Sequence, residues 1–305
     1  MKKINIVVIG VGSLGEKHAR IYKNIPDANL AAVCDIDKTK ANHLAAELGV
    51  MAYRDYTELD CEKIDGVSIC APTNLHYKIA RYFLGKGVHV LVEKPFTKSL
   101  KEASGLIKMA KKAKLIIQVG HIERFNSAFE AIEPIVKNPK FIECHRLSHF
   151  PGRSLDVGAV LDIMIHDIDI LLGLVKSPIS SIEAVGVKVL TQYEDIANAR
   201  IKFKNGCIAN LTASRVSDET MRKIRIFLPN VYISLDYFKQ EGFIYRKSGR
   251  QITKKPITIE KEQPLQKELA AFIDCLKYKK RPLVSGEQAY QALELAQKII
   301  QKIHE

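Results

Sequence analysis

A glycine triplet, Gly10-Val11-Gly12-Ser13-Leu14-Gly15, directly follows the apolar run Ile4-Asn5-Ile6-Val7-Val8-Ile9 and opens a helical stretch. Few arrangements require glycine at these three places at once. The first glycine permits a tight turn, the second lets backbone approach a ligand, and the third lets helix and strand pack closely. At the helix N-terminus the free amides of Ser13, Leu14 and Gly15, together with the positive end of the dipole, suit a pyrophosphate. Twenty residues beyond Gly15 the second apolar run ends at Asp35. A carboxylate there accepts hydrogen bonds from ribose hydroxyls and repels a 2′-phosphate, which favours NAD over NADP. Lys38 and Lys40 lie close to it in sequence.

The rhythm that follows extends the motif into a domain. Up to about residue 120, short apolar strands alternate with helical stretches at residues 14–24, 38–48, 75–86 and 100–112. Strands apolar on both faces and interleaved with helices predict a doubly wound parallel sheet, the Rossmann arrangement, over 1–120. From 121 to 305 the pattern changes. Helices are expected over 127–135, 158–174, 264–276 and 286–303, with strands over 141–148, 182–190, 197–203, 207–214, 223–227, 232–236 and 242–245. Short turns such as Lys204-Asn205-Gly206 join successive strands, so the second part reads as an α+β domain with a largely antiparallel open sheet. No linker rich in Pro, Gly or Ser separates the two parts, and a cleft between them is expected.

Composition narrows the functional classes. The 305-residue chain has a formal charge of +13, but its Lys and Arg are dispersed. Groups such as Lys108, Lys111, Lys112 and Lys114 mark helix C-termini, where cations are favoured. No nucleic-acid-binding signature accompanies them, and the excess suits an anionic cofactor and substrate. No apolar run reaches the roughly 18 residues that cross a bilayer. The first strand runs into a glycine turn where a signal peptide would show a cleavage site, so a soluble cytoplasmic protein is expected. The six cysteines are scattered without a Cys-x-x-Cys pair, which points to reduced thiols rather than a metal site or disulfides.

Two further loops carry chemistry. Ala71-Pro72-Thr73-Asn74 ends one strand, with His76 in the first turn of the next helix. Glu93-Lys94-Pro95 ends another. Both would face the nicotinamide end of a dinucleotide, and Lys94 would there stabilise a developing alkoxide. Farther on, Asp162 and His166 are four apart and His166 and Asp169 three apart on an expected helix, so the acids would flank the imidazole. A zinc site would use similar spacing, but no third ligand is evident.

In order and spacing these segments resemble the Gfo/Idh/MocA oxidoreductases. The stretch Gly158-Ala159-Val160-Leu161-Asp162-Ile163-Met164-Ile165-His166 is similar to that family's Gly-Gly-x-x-x-Asp-x-x-x-His signature, with Ala159 at the second glycine. The resemblance implies that Lys94, Asp162 and His166 are catalytic, with His166 the base, Asp162 its tuner and Lys94 the alkoxide stabiliser. The reverse assignment of Lys94 and His166 stays open. It also implies that Gly10 to Gly15, Asp35, Ala71 to Asn74, His76, Glu93 and Lys94 line the cofactor. The segment Gly120-His121-Ile122-Glu123-Arg124-Phe125-Asn126 resembles that of members acting on UDP-linked N-acetylhexosamines, which implies that His121, Arg124, Phe125 and Asn126 join Asp162 and His166 in binding substrate. Inositols and free sugars are the alternative substrates, and a non-catalytic NAD-binding sensor is the alternative function. Members of the family commonly pack their open sheets together, so a homodimer or homotetramer is expected.

Overall fold

The structure, a computed structural model, describes residues 3–150, 152 and 157–305. It divides into two compact units. The first is Met1–His121 with Leu265–Tyr290, and the second is Ile122–Pro264 with Gln291–Glu305.

The first unit is built on six parallel strands: β1 (Ile4–Ile9), β2 (Ala28–Cys34), β3 (Met51–Tyr53), β4 (Gly66–Ile69), β5 (His89–Glu93) and β6 (Ile117–Gly120). Their order is β3-β2-β1-β4-β5-β6. The order reverses between β1 and β4, and loops at such a switch point form the usual ligand crevice of a doubly wound sheet. The crossover helices are α1 (Ser13–Asn24), α2 (Lys38–Leu48), α3 (Thr73–Gly85) and α4 (Leu100–Ala113). Local sequence sets their ends. Asp37 caps α2 and Gly49 ends it in the left-handed region, while Ser99 and Glu102 form a capping box on α4.

Residues 265–290, which the sequence assigns to the second domain, join this first unit. The reason is apolar. Leu269, Phe272 and Ile273 of a further helix (Pro264–Tyr278) share one core with Ile6, Val8, Tyr22 and Leu91.

The second unit holds an eight-stranded sheet flanked by α5 (Ser127–Ile132) and α6 (Ile165–Leu174). Its strands are β7 (Phe141–Leu147), β8 (Ile179–Val187), β9 (Ile196–Phe203), β10 (Ile208–Ser214), β11 (Met221–Leu228), β12 (Val231–Asp236), β13 (Glu241–Ser248) and β14 (Gln251–Pro256), in the order β14-β13-β12-β11-β7-β10-β9-β8. Every pairing is antiparallel except β7 with β10. Alternate residues such as Ile142, Cys144, Leu211, Ile224 and Ile226 turn inward onto Ile168 and Leu171 of α6. Strand β14 is exposed along its whole length, so it has no inside-outside alternation to announce it. The helix expected over 158–174 begins as a π turn, Val160–Met164, before settling into α6.

Candidate active site

The glycine turn behaves as its spacing requires. Gly10 has φ +86°, and a Cβ on it would lie 2.8 Å from the Cys70 and Ala71 backbone at the end of β4. A Cβ on Gly15 would overlap the Gly10 carbonyl oxygen, so α1 sits directly on the turn. Gly12 differs, since a Cβ there would meet nothing within 4 Å. The open side of the turn is therefore where a ligand would lie. Helix α1 starts there with no side chain capping its first amides, although α2 and α4 both carry caps. An uncapped N-terminus beside an open backbone cradle fits the pyrophosphate of a dinucleotide.

Asp35 ties β2 to this turn. One carboxylate oxygen accepts from the Val11 amide at 2.7 Å and the other from the Asp37 amide at 2.9 Å. Both oxygens keep further lone-pair sites for a diol. On the β4 side, Thr73 opens α3, Asn74 is exposed, and His76 is buried. The His76 ring lies 2.8 Å from the Ala71 carbonyl and 2.9 Å from the Pro95 carbonyl. It thus clamps the loop after β4 to the loop after β5. Burial pushes its pKa down, against the pull of those carbonyls. Lys94 is half-buried at the end of β5, next to Pro95, and its amide donates to the Glu93 carboxylate at 3.2 Å.

In the second unit, Asp162 sits in the π turn and is buried, while His166 lies in the first turn of α6 and is half-buried. The step from Asp162 to His166 thus passes out of a π turn, not along the regular α-helical spacing read from the sequence. The acids around His166 are also differently engaged. Asp169 lies 3.8 Å from Arg124, and Asp167 forms a two-pronged pair with Arg146 at 2.8 and 3.1 Å. Arg146 in turn reaches Glu123 at 2.8 Å. Burial pushes Asp167 up against the opposing pull of Arg146, whereas for Glu123 that pull and Arg222 outweigh burial and hold it below the usual range.

The segment Glu123 to Asn126 is therefore woven into its own unit. Arg124 is only 5% exposed, with Glu133 at 3.7 Å and the Phe129 ring 5.4 Å from its guanidinium carbon. Asn126 caps α5 through Ala128, and its amide donates to Glu123 and to the Tyr237 carbonyl. Phe125 is buried, as is His121 at the end of β6. A second polar cluster fixes the approach to the π turn. Asp195 accepts from the amides of Val189, Leu190 and Thr191 and from Arg215, whose Nη1 donates to the Val157 carbonyl. Glu194 accepts from the Val160 amide at 3.2 Å, and a Cβ on Gly158 would overlap its carboxylate. Gly158 is thus needed for room, a role its spacing from His166 did not reveal. Glu194, Asp195, Arg146 and Arg215 lie far from the signature in sequence and carried no motif. Among the described residues no group of three or more His, Cys, Asp or Glu is placed to hold a metal ion. None of their helices is long and apolar enough to cross a membrane.

Comparison with known proteins agrees with this arrangement. Residues 4–121 match the oxidoreductase family with an NAD-binding Rossmann fold, and residues 118–230 match the GFO/IDH/MocA C-terminal domain. The chain is 37% identical over 276 residues to a UDP-N-acetylglucosamine 3-dehydrogenase of Acidithiobacillus ferrooxidans, covering 88% of this chain and 87% of that protein. A solved structure of an enzyme of that description from the same organism superposes with a TM-score of 0.94 at 34% identity, over 99% of this chain and 98% of the other. A myo-inositol 2-dehydrogenase of Thermotoga maritima is 28% identical over 96% of this chain and 94% of its own. The parallel sheet with its open glycine cradle, the second sheet with its signature helix, and these matches across the whole chain have one reading: the chain belongs to the Gfo/Idh/MocA oxidoreductases, with an NAD-binding Rossmann domain at its N-terminus.

Proposed function

We propose that this protein is an NAD-dependent dehydrogenase that oxidises a secondary hydroxyl of a UDP-linked N-acetylhexosamine, in the manner of a 3-dehydrogenase. The observation that carries this reading is the 37% identity to a UDP-N-acetylglucosamine 3-dehydrogenase, sustained over 88% of the chain. Asp35 supports NAD over NADP, because a 2′-phosphate beside its carboxylate would be repelled. When bound, the nicotinamide takes up the hydride. In this reading His166 accepts the hydroxyl proton, Asp162 tunes it, and Lys94 holds the developing alkoxide and relays the proton. Because Arg124 and Asn126 are engaged inside the second unit, we assign them to holding α5 and α6 rather than to gripping substrate.

The test is turnover. Purified protein is mixed with NAD and, separately, UDP-N-acetylglucosamine, UDP-N-acetylgalactosamine, myo-inositol and glucose, and reduced cofactor is followed by absorbance. A UDP-sugar should be preferred over myo-inositol by more than about a hundredfold in kcat/KM. The inositol reading rests on the Thermotoga relative, and preference for myo-inositol would put it in place of ours. Silence toward all four, from folded protein that binds NAD, would overturn both and leave a sensor.

We further infer a homodimer or homotetramer formed through the outward face of the eight-stranded sheet. A row of half-buried rings crosses that face, with centroids 5.5 Å apart for Phe141 and Phe227, 4.7 Å for Phe227 and Tyr232, and 4.9 Å for Tyr232 and Tyr245. Mass photometry reporting only monomer would remove this inference. The six cysteines are free thiols, which supports a place in the reducing cytoplasm.

A further inference from the structure

We propose that Glu93 is a positioning residue that couples the glycine-turn helix α1 to Lys94, and is not a ligand of the dinucleotide. The inference rests on reading Lys94 as a group at the reacting carbon. Glu93 is 6% exposed at the end of β5, and a carboxylate so buried requires partners. One oxygen lies 3.2 Å from His18 Nε2 and the other accepts from the Lys94 amide at 3.2 Å. On the other side of the ring, Nδ1 lies 2.8 Å from the Ser68 hydroxyl. His18 and Ser68 are both fully buried.

The room for this carboxylate is built in. A Cβ on Gly120, at the end of the neighbouring strand β6, would lie 2.7 Å from the carboxyl carbon and both oxygens. His18 stands one turn beyond Gly15, on the part of α1 that the Gly15 contact seats against the turn. Whatever settles on the α1 N-terminus therefore acts on His18, through it on Glu93, and through Glu93 on the backbone of Lys94. Occupancy of the pyrophosphate cradle and the aim of the lysine become one event.

ADP-ribose tests this, because it fills the cradle but lacks the nicotinamide ring that would cover Lys94. The readout is the rate at which an amine-acylating reagent modifies Lys94, measured by peptide mass spectrometry. ADP-ribose should change that rate by about fivefold or more in the natural protein, and the change should vanish in Glu93→Gln and in Gly120→Ala. Gly120→Ala crowds the carboxylate from β6 without altering either partner. Pairing it with the shorter Glu93→Asp should restore part of the change. In turnover, Glu93→Gln should lower kcat by about ten- to a hundredfold with the ADP-ribose Kd kept within about threefold. An unchanged acylation rate in the natural protein, full response in the variants, or a loss of ADP-ribose affinity matching the loss of kcat would each overturn the proposal. Lys94→Ala with undiminished turnover would instead remove the catalytic reading of Lys94, and the acylation experiment would still decide the coupling.

Discussion

Replacing Arg146 with methionine should be among the most damaging single changes in the second unit. The guanidinium joins Asp167 and Glu123, and all three side chains are 4–7% exposed. Methionine keeps the bulk and removes the charge, so two buried carboxylates lose the guanidinium that joins them, and Arg222, 4.0 Å from Glu123, offsets part of that loss. Breaking a buried pair in this way costs about 3–5 kcal/mol, because the orphaned charge keeps its desolvation penalty. For a unit of this size that corresponds to a fall in Tm of roughly 6–20 °C. Urea denaturation and calorimetry would both report it. The cost should shrink on acidification. Removing the guanidinium takes away the pull that opposes burial, so carboxylate pKa values rise further in the variant and protonation relieves it as pH falls. The triple variant Arg146→Met, Asp167→Asn, Glu123→Gln should recover most of the loss, since it buries no unpaired charge. A cost below about 1 kcal/mol, the range of exposed pairs, would refute the argument. So would a triple variant no more stable than the single one.

Other expectations follow from single distances. Gly12→Ala should leave Tm unchanged and weaken NAD binding in calorimetric titration, because a Cβ there meets no protein atom, whereas Gly15→Ala should lower Tm as well, because it overlaps the Gly10 carbonyl. Although burial alone pushes Asp195 up, its three backbone amides and Arg215 hold it well below the usual carboxylate range. A depressed folded pKa gives stability that is complete above about pH 4 and lost as pH falls below it, with a limiting slope of about 1.4 kcal/mol per pH unit, and Asp195→Asn should flatten that slope in acid denaturation. His166→Ala and Lys94→Ala should each lower kcat by about 10²–10⁴ with the NAD Kd little changed, and natural rates in both would remove the catalytic assignment.

Much of the fold was legible in sequence because its signals are local. Three glycines after an apolar strand define a backbone path whatever lies elsewhere, and strands buried on both faces announce a parallel sheet by their unbroken apolar runs. Strands β3 and β14 escaped notice for the converse reason. The first is three residues long, and the second is exposed throughout. Lys94, Asp162 and His166 were readable as a family resemblance, but the partners of the buried acids near them in sequence were not. Asp169, which flanks His166 by spacing, also lies beside Arg124, and Glu93, in the expected cofactor loop, also lies beside His18.

The sequence alone therefore determined the dinucleotide cradle and the alternation of strands and helices. Tertiary structure decided which carboxylate each buried cation meets, which glycine makes room for a neighbour's side chain, and that residues 265–290 return to the first core. The physical reason is the range of the forces. Backbone conformation and capping are settled within a few residues, whereas a buried charge must find its partner wherever the packed chain brings one.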